Sequence, residues 1–257
     1  MTFPRGLGYR ISHKSAYKHP INKAIPSLPS ATPVGHADNM WQLPPVLDQG
    51  QLGSCMLHLI AELVYADNSK DGDHNELISI LFAYYNTMVL QGELADNGSD
   101  PVTAMAAQNL YGLAPEHLWP YDISQFTKLP PSEAYRQAFK KSIEFLWIES
   151  TGDQRVNDVK IALDNGYCVG ICGAVGPEYC NWKKGDKPLS YPNGYSYGNA
   201  DYGGHARVIG SYKGRVSRER GSWSEDFGDN GDVLIDDSLV ASPLVDELVI
   251  FRKVSGV

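Results

Sequence analysis

No acidic residue occurs before Asp38, no apolar run approaches the ~18 residues of a membrane span, and only four cysteines are spread over 257 residues. Each shortage closes off a class of function. Without a long apolar run there is no spanning helix, and no membrane partner is expected. The opening stretch Met1-Thr2-Phe3-Pro4-Arg5-Gly6 lacks the apolar core of a signal peptide, so a cytoplasmic location is expected. The cysteines, Cys55, Cys168, Cys172 and Cys180, give fewer and more distant ligands than a zinc site needs, so neither metal nor cofactor is expected. Cys168 and Cys172 share one face of the strand-like run Tyr167 to Cys172 and are expected to be reduced packing residues. No internal repeat is present.

The missing acid near the start makes the charge uneven. Residues 1–37 carry Arg5, Arg10, Lys14, Lys18 and Lys23, a local balance of +5, while the remainder holds 17 basic and 30 acidic residues. A basic arm on an acidic body is expected to lie across it by electrostatic complementarity. No nucleic-acid-binding motif accompanies the arm, and nucleic acid is not an expected partner.

What is present is an ordinary globular composition, 42% hydrophobic and 20% charged, long enough to bury a real core. Residues 1–43 are rich in proline, serine and lysine, with Pro20, Pro26, Pro29 and Pro33 breaking any long element, and read as an extended arm. Between residues 44 and 141 apolar residues recur at three- and four-residue spacing, which predicts helices over 54–66, 76–92, 101–111 and 131–142. From residue 142 onward short strands are predicted: Phe145 to Glu149, Tyr167 to Val175, Ala206 to Tyr212, Asp232 to Ile235 and Leu248 to Lys253. Residues 176–204 read as a long loop carrying Tyr179, Tyr191, Tyr195, Tyr197 and Tyr202. A helical half followed by a β half is an α+β arrangement.

The chemistry concentrates at Asp48-Gln49-Gly50-Gln51-Leu52-Gly53-Ser54-Cys55, followed at once by the helical run Leu57, Ile60, Ala61, Val64. A thiol in the first turn of a helix has its thiolate favoured by the helix dipole and the free backbone N–H groups. Gln49, six residues earlier, can place a side-chain N–H beside the backbone N–H of Cys55 and form an oxyanion hole. His205, in Gly203-Gly204-His205-Ala206, lies 150 residues downstream. This Gly-Ser-Cys followed by a distant histidine resembles the papain-like (C1) cysteine peptidases.

The resemblance covers nearly everything after residue 43. Asn97-Gly98-Ser99-Asp100-Pro101 is similar to the family's glycine-bearing substrate loop, and Tyr111-Gly112-Leu113 and Trp119-Pro120-Tyr121 recur at family spacing. His205-Ala206-Arg207-Val208-Ile209-Gly210 resembles the histidine strand, and Gly221-Ser222-Trp223 falls where the family has Asn-Ser-Trp. The Pro-Pro-Val…Asp-Gln-Gly-Gln-Leu-Gly-Ser-Cys run is closest to bacterial and phage-encoded members without a long propeptide, which would put the protein in a host cytoplasm. The family's disulfide cysteine, three residues before the nucleophile, is replaced by Leu52, in keeping with a reducing compartment. The resemblance implies a two-lobed fold. A helical lobe over 44–141 would face an antiparallel, barrel-like β lobe over 142–257, with the active site in the cleft between them. It implies that Cys55, His205 and Gln49 are catalytic and that Gly98, Ser99, Pro101, Gly204 and Trp223 contact a peptide or protein substrate. Asp100 would then lie beside the pocket for the second residue before the cut and favour basic groups. The arm over 1–43 would act as a short propeptide occupying the cleft.

Two departures flank the base. Gly221 stands where the family's asparagine orients the histidine, and Arg207 shares a strand face with His205, where a buried cation disfavours an imidazolium. These favour, as an alternative to an endopeptidase, a peptide-binding pseudo-peptidase. A Cys-His acyltransferase using Asp226 is a further alternative, against which the Ser-Trp sequence after Gly221 speaks. His58, one helical turn from Cys55, is a second candidate base. Asp67 to Ile78 lacks the closing glutamate of a calcium loop, and Asp226-Phe227-Gly228 lacks the partner motifs of a kinase. Asp226, Asp229 and Asp232 read as a solvated acidic turn.

Overall fold

A computed structural model describes residues 5–11, 19–20, 32–72, 76–138, 143–192 and 200–253. Much of the N-terminal arm, residues 73–75 of the acidic loop, residues 139–142 at the end of the predicted fourth helix, and Tyr195 and Tyr197 lie outside the described residues. Helix α1 (Cys55–Lys70) is buried on almost every side through Val64, which is what a helix apolar nearly all round must be. Helix α2 (Ile80–Gln91) begins where Ser79 Oγ accepts the Phe82 N–H at 3.1 Å and stops at Gly92, whose φ of +81° suits only glycine without strain. Helix α3 (Pro101–Tyr111) has Asp100 as its cap and Pro101 in its first turn. Helix α4 (Ser132–Gln137) completes the helical half.

The second half, joined by two short strands of the N-terminal arm, forms one sheet. Its strands are β1 (His19–Pro20), β2 (His36–Asp38), β3 (Ile143–Trp147), β4 (Val169–Val175), β5 (Gly203–Lys213), β6 (Val216–Arg220), β7 (Asp232–Asp236) and β8 (Val245–Lys253). They order as β1-β3-β8-β4-β5-β6-β7, with β2 added to β5. Every pairing is antiparallel except β1 with β3. The fold is therefore the expected α+β class. One core joins α1, α2 and α3 to β5 and β8; a second packs the sheet against helix α5 (Gly152–Asp164). α1 lies directly on β5, so the first residue of the helix and the first residues of the strand share one seam.

Helix α5 and strand β6 are among the elements additional to those predicted. Helix α5 has its buried apolar residues, Val156, Val159, Ile161, Ala162 and Leu163, crowded into eight positions, so its period is short. Strand β6 turns Ser217 and Glu219 inward, which inverts the usual apolar-in pattern. Residues 36–43 are built into the body: β2 pairs with β5, the Asn39 side chain donates to Leu163 O at 2.8 Å, and Leu43 is buried.

Candidate active site

Cys55 is the first residue of α1 and is fully buried. Burial pushes its thiol up to about 11, against the backbone N–H groups of Ala206, Gly8 and Met56, which favour the thiolate. Ala206 is the neighbour of His205 in β5, so the helix start and the strand start meet at the sulfur. His205 is also fully buried, and neither ring nitrogen has a hydrogen-bond partner among the described residues. Burial first, and the Arg207 charge second, hold its imidazole well below the usual range. Trp223 stacks on the ring at 4.5 Å between centroids and 22° between planes, which fixes the imidazole from one side.

Gln49 is buried and held at both ends. Its Oε1 accepts from Ser222 Oγ at 2.6 Å, so Nε2 faces the cleft and donates to Leu52 O at 2.9 Å and to Gly6 O at 2.8 Å. The carbonyl that meets this donor belongs to the chain's own N-terminal segment. The segment continues through the cleft as an extended strand. Gly6 N–H bonds Gly50 O at 2.9 Å, the Gly8 N–H points at the Cys55 thiol, and Ser99 N–H bonds Gly8 O at 2.7 Å. Tyr9 N–H bonds Gly204 O at 3.3 Å, and Arg10 N–H bonds Ser99 O at 3.0 Å. Arg5 Nε is 2.8 Å from Asp48 Oδ1, a contact of basic arm with acidic body.

The approach is too close for side chains. A Cβ at Gly8 would overlap Gly53 O, one at Gly98 would overlap Gly8 O, and one at Gly204 would overlap Tyr9 O. Gly98 also has φ +69°. The Tyr9 ring is buried with Cys55 and Cys172 in the apolar core, and its hydroxyl donates to Glu247 Oε2 at 3.1 Å. Sequence reasoning missed both Tyr9 and Glu247. The only available signal was an aromatic set among glycines in an otherwise basic arm.

Of the residues expected here, Gly98, Ser99 and Gly204 touch the bound segment, whereas Pro101 is buried at the start of α3. The Asp100 carboxylate accepts from Thr103 N–H at 2.9 Å and serves as the helix cap. His58, the second candidate base, is held within its own helix. It is buried, its Nδ1 lies 3.0 Å from Ser54 O one turn back in its own helix, its ring packs edge-on to Tyr121, and burial pushes it down to about 4. Arg207 does share the face of His205, but its charge is not isolated: Nε lies 3.0 Å from Glu219 Oε1 in a fully buried pair. All four cysteines are free, with Cys168 and Cys172 buried as expected. Asp229 and Asp232 are engaged by Lys184, Arg218 and Arg220, and no cluster fit for a metal occurs among the described residues.

No family model matches the chain. An uncharacterised peptidase C1-like protein of Acanthamoeba polyphaga mimivirus is 31% identical over 196 residues, covering 72% of this chain; the chain spans 62% of that relative's length. Among solved structures, xylellain, a cysteine protease from Xylella fastidiosa, superposes with TM-score 0.79 at 23% identity over 98% of this chain and 97% of its own. Procathepsin B S9 from Trypanosoma congolense superposes with TM-score 0.72 at 16% identity, over 99% and 88%. Digestive procathepsin L3 of Tenebrio molitor gives TM-score 0.72 at 14% identity, over 97% and 76%. The chain therefore has the papain-like fold of these cysteine proteases, and its sequence is similar to that of a peptidase C1-like protein.

Proposed function

We propose that the chain is a cysteine peptidase whose own N-terminal segment closes its cleft. The observation that carries this is the segment itself. Residues 6–10 lie extended across Cys55, bonded on one side to Ser99 and on the other to Gly204, with the Gly6 carbonyl on the Gln49 amide. A cleft that holds a peptide backbone from both sides beside a thiol is built to bind extended polypeptide. Covering also explains the charge state. With water excluded, Cys55 and His205 are both driven neutral, and removal of the segment would rehydrate them and favour the thiolate–imidazolium pair.

In the open state the Cys55 thiolate attacks a peptide carbonyl carbon, and the oxyanion forms bonds to the Gln49 side-chain N–H and the Cys55 backbone N–H. The imidazolium of His205 protonates the leaving nitrogen as the C–N bond breaks. Water then attacks the thioester, His205 takes its proton, and the acid and the thiol are released. Asp226, the candidate partner for an acyltransferase, lies exposed in a turn.

The test is digestion of an unfolded protein by the chain carrying Gly8→Ala, which removes the fit of the segment, with product masses recorded. Each cut is expected to add one water, and Cys55→Ala in the same background to abolish cutting while leaving the fold intact. Undiminished cleavage by the Cys55→Ala variant would sink the reading. Absence of cleavage with tight retention of peptide would support a pseudo-peptidase, which the lack of a side chain at Gly221 favours.

A further inference from the structure

Gly221 cannot orient His205, yet the space beside it is not left to solvent. A Cβ at position 221 would lie 3.3 Å from His205 Nε2 and 3.2 Å from Tyr179 Oη. The two polar atoms therefore flank one point, the place an orienting side chain would enter. Tyr179 is buried, held on helix α6 (Pro177–Cys180), with its ring edge-on to Trp223 at 5.4 Å and to His205 at 6.1 Å between centroids. Within electrostatic reach of its hydroxyl stands the carboxylate of Glu219, and neither the hydroxyl nor that carboxylate has a hydrogen-bond partner among the described residues. Arg207 pairs with Glu219 at 3.0 Å, and its guanidinium carbon sits 5.2 Å from the Tyr179 ring centroid. Arg207 and Glu219 cancel each other's charge. What faces the imidazole is then a buried phenol oxygen without a partner among the described residues, with a carboxylate nearby that could take its proton.

We propose that Tyr179 is the positioning residue of His205. Its hydroxyl gives its proton to Glu219 and accepts the Nε2–H of the imidazole, directly or across one water, in the space that glycine at 221 leaves open. Such contacts are often long before substrate is bound and tighten in the working complex. With Nε2 occupied as a donor, Nδ1 is left to exchange the proton with Cys55. Four positions act together here: a side chain larger than hydrogen at 221 would separate the hydroxyl from the ring, and an unpaired Arg207 would repel the imidazolium. The assignment rests on the Cys55–His205 reading, but its test reads the ring itself.

The experiment is ¹⁵N NMR of the full chain with labelled histidine, the His205 signals being identified by their loss in His205→Gln. In the unaltered chain a slowly exchanging Nε2–H is expected, shifted downfield. Tyr179→Phe should lose that signal, and Tyr179→Phe with Gly221→Asn should regain it, because the asparagine amide oxygen replaces the phenol. Gly221→Ala, which keeps the hydroxyl but inserts a methyl between the two atoms, should lose it as well and serves where Tyr179→Phe is poorly folded. An Nε2–H signal that survives Tyr179→Phe unchanged would overturn the proposal. So would a signal that survives Gly221→Ala, since Tyr179 would then be packing alone. A chain without peptidase activity but with the expected spectra would fail the functional reading and keep this one.

Discussion

Arg207 and Glu219 are buried side by side, and that pairing decides how the base works. Each charge alone would be costly in the interior, and each is tolerated because the other is 3.0 Å away. Arg207→Leu is expected to destabilise the fold by about 3–5 kcal/mol, because it strands the Glu219 carboxylate. Arg207→Val with Glu219→Ile should recover most of that loss in denaturant unfolding. If the single and double variants were equally unstable, the pair would not be coupled. Reading the sequence, Arg207 alone looked like an obstacle to an imidazolium. Its partner was hidden because Glu219 sits on a short strand whose polar residues point inward.

Elements set the cleft by how they start and stop. α1 begins at Cys55 directly after Ser54, which occupies its N-cap, and α3 begins at Pro101 because Asp100 caps it. Asp100→Ala is expected to lower stability by about 1 kcal/mol and to leave any preference for basic substrates unchanged, as judged by thermal melts and a panel of peptides. A selective loss of cleavage after basic residues would instead give Asp100 a place in the pocket.

The long, strongly periodic helices and the central strands were legible in the sequence, since their buried residues keep a helical or alternating period. α5 and β6 were not legible, the first because its apolar residues span barely two turns, the second because burial there is polar. Cys55, Gln49 and His205 were legible from residue type and spacing. Tyr179 was not, because its role depends on a contact across the sheet with a glycine 42 residues away. The threading of residues 6–10 through the cleft was legible only in outline, from the charge complementarity of the whole arm and from the resemblance, which implied a short propeptide in the cleft. Its fit comes from Gly6 and Gly8, and no local pattern marks a glycine as the place where one backbone touches another.

At the scale of the whole molecule, ionisable groups locked into the interior make stability depend on pH. Glu62, buried in α1, has its carboxyl pushed up to about 8 by burial, above its usual 4.5. An acid whose folded pKa is raised favours the native state fully below the unfolded value, and that contribution is lost as pH rises to about 8. His58, pushed down to about 4, acts oppositely, since its contribution is lost as pH falls from 6.5 towards 4. Between pH 6.5 and 8 the Glu62 effect stands free of His58. Stability should therefore decline there by up to about 1.4 kcal/mol per pH unit, and Glu62→Gln should flatten that slope in urea melts. An unchanged slope would mean that Glu62 is ionised in the fold.

The central claim is a working Cys55–His205 pair held shut by the segment over 6–10. Its most direct measurement is the rate at which an epoxysuccinyl peptide inhibitor labels Cys55, followed by intact mass and peptide mapping. The chains compared are unaltered, Gly8→Ala, and Gly8→Ala with His205→Ala. The account predicts slow labelling of the unaltered chain, fast labelling confined to Cys55 in Gly8→Ala, and loss of that labelling without His205. Labelling equally fast in the unaltered chain, or independent of His205, would contradict it.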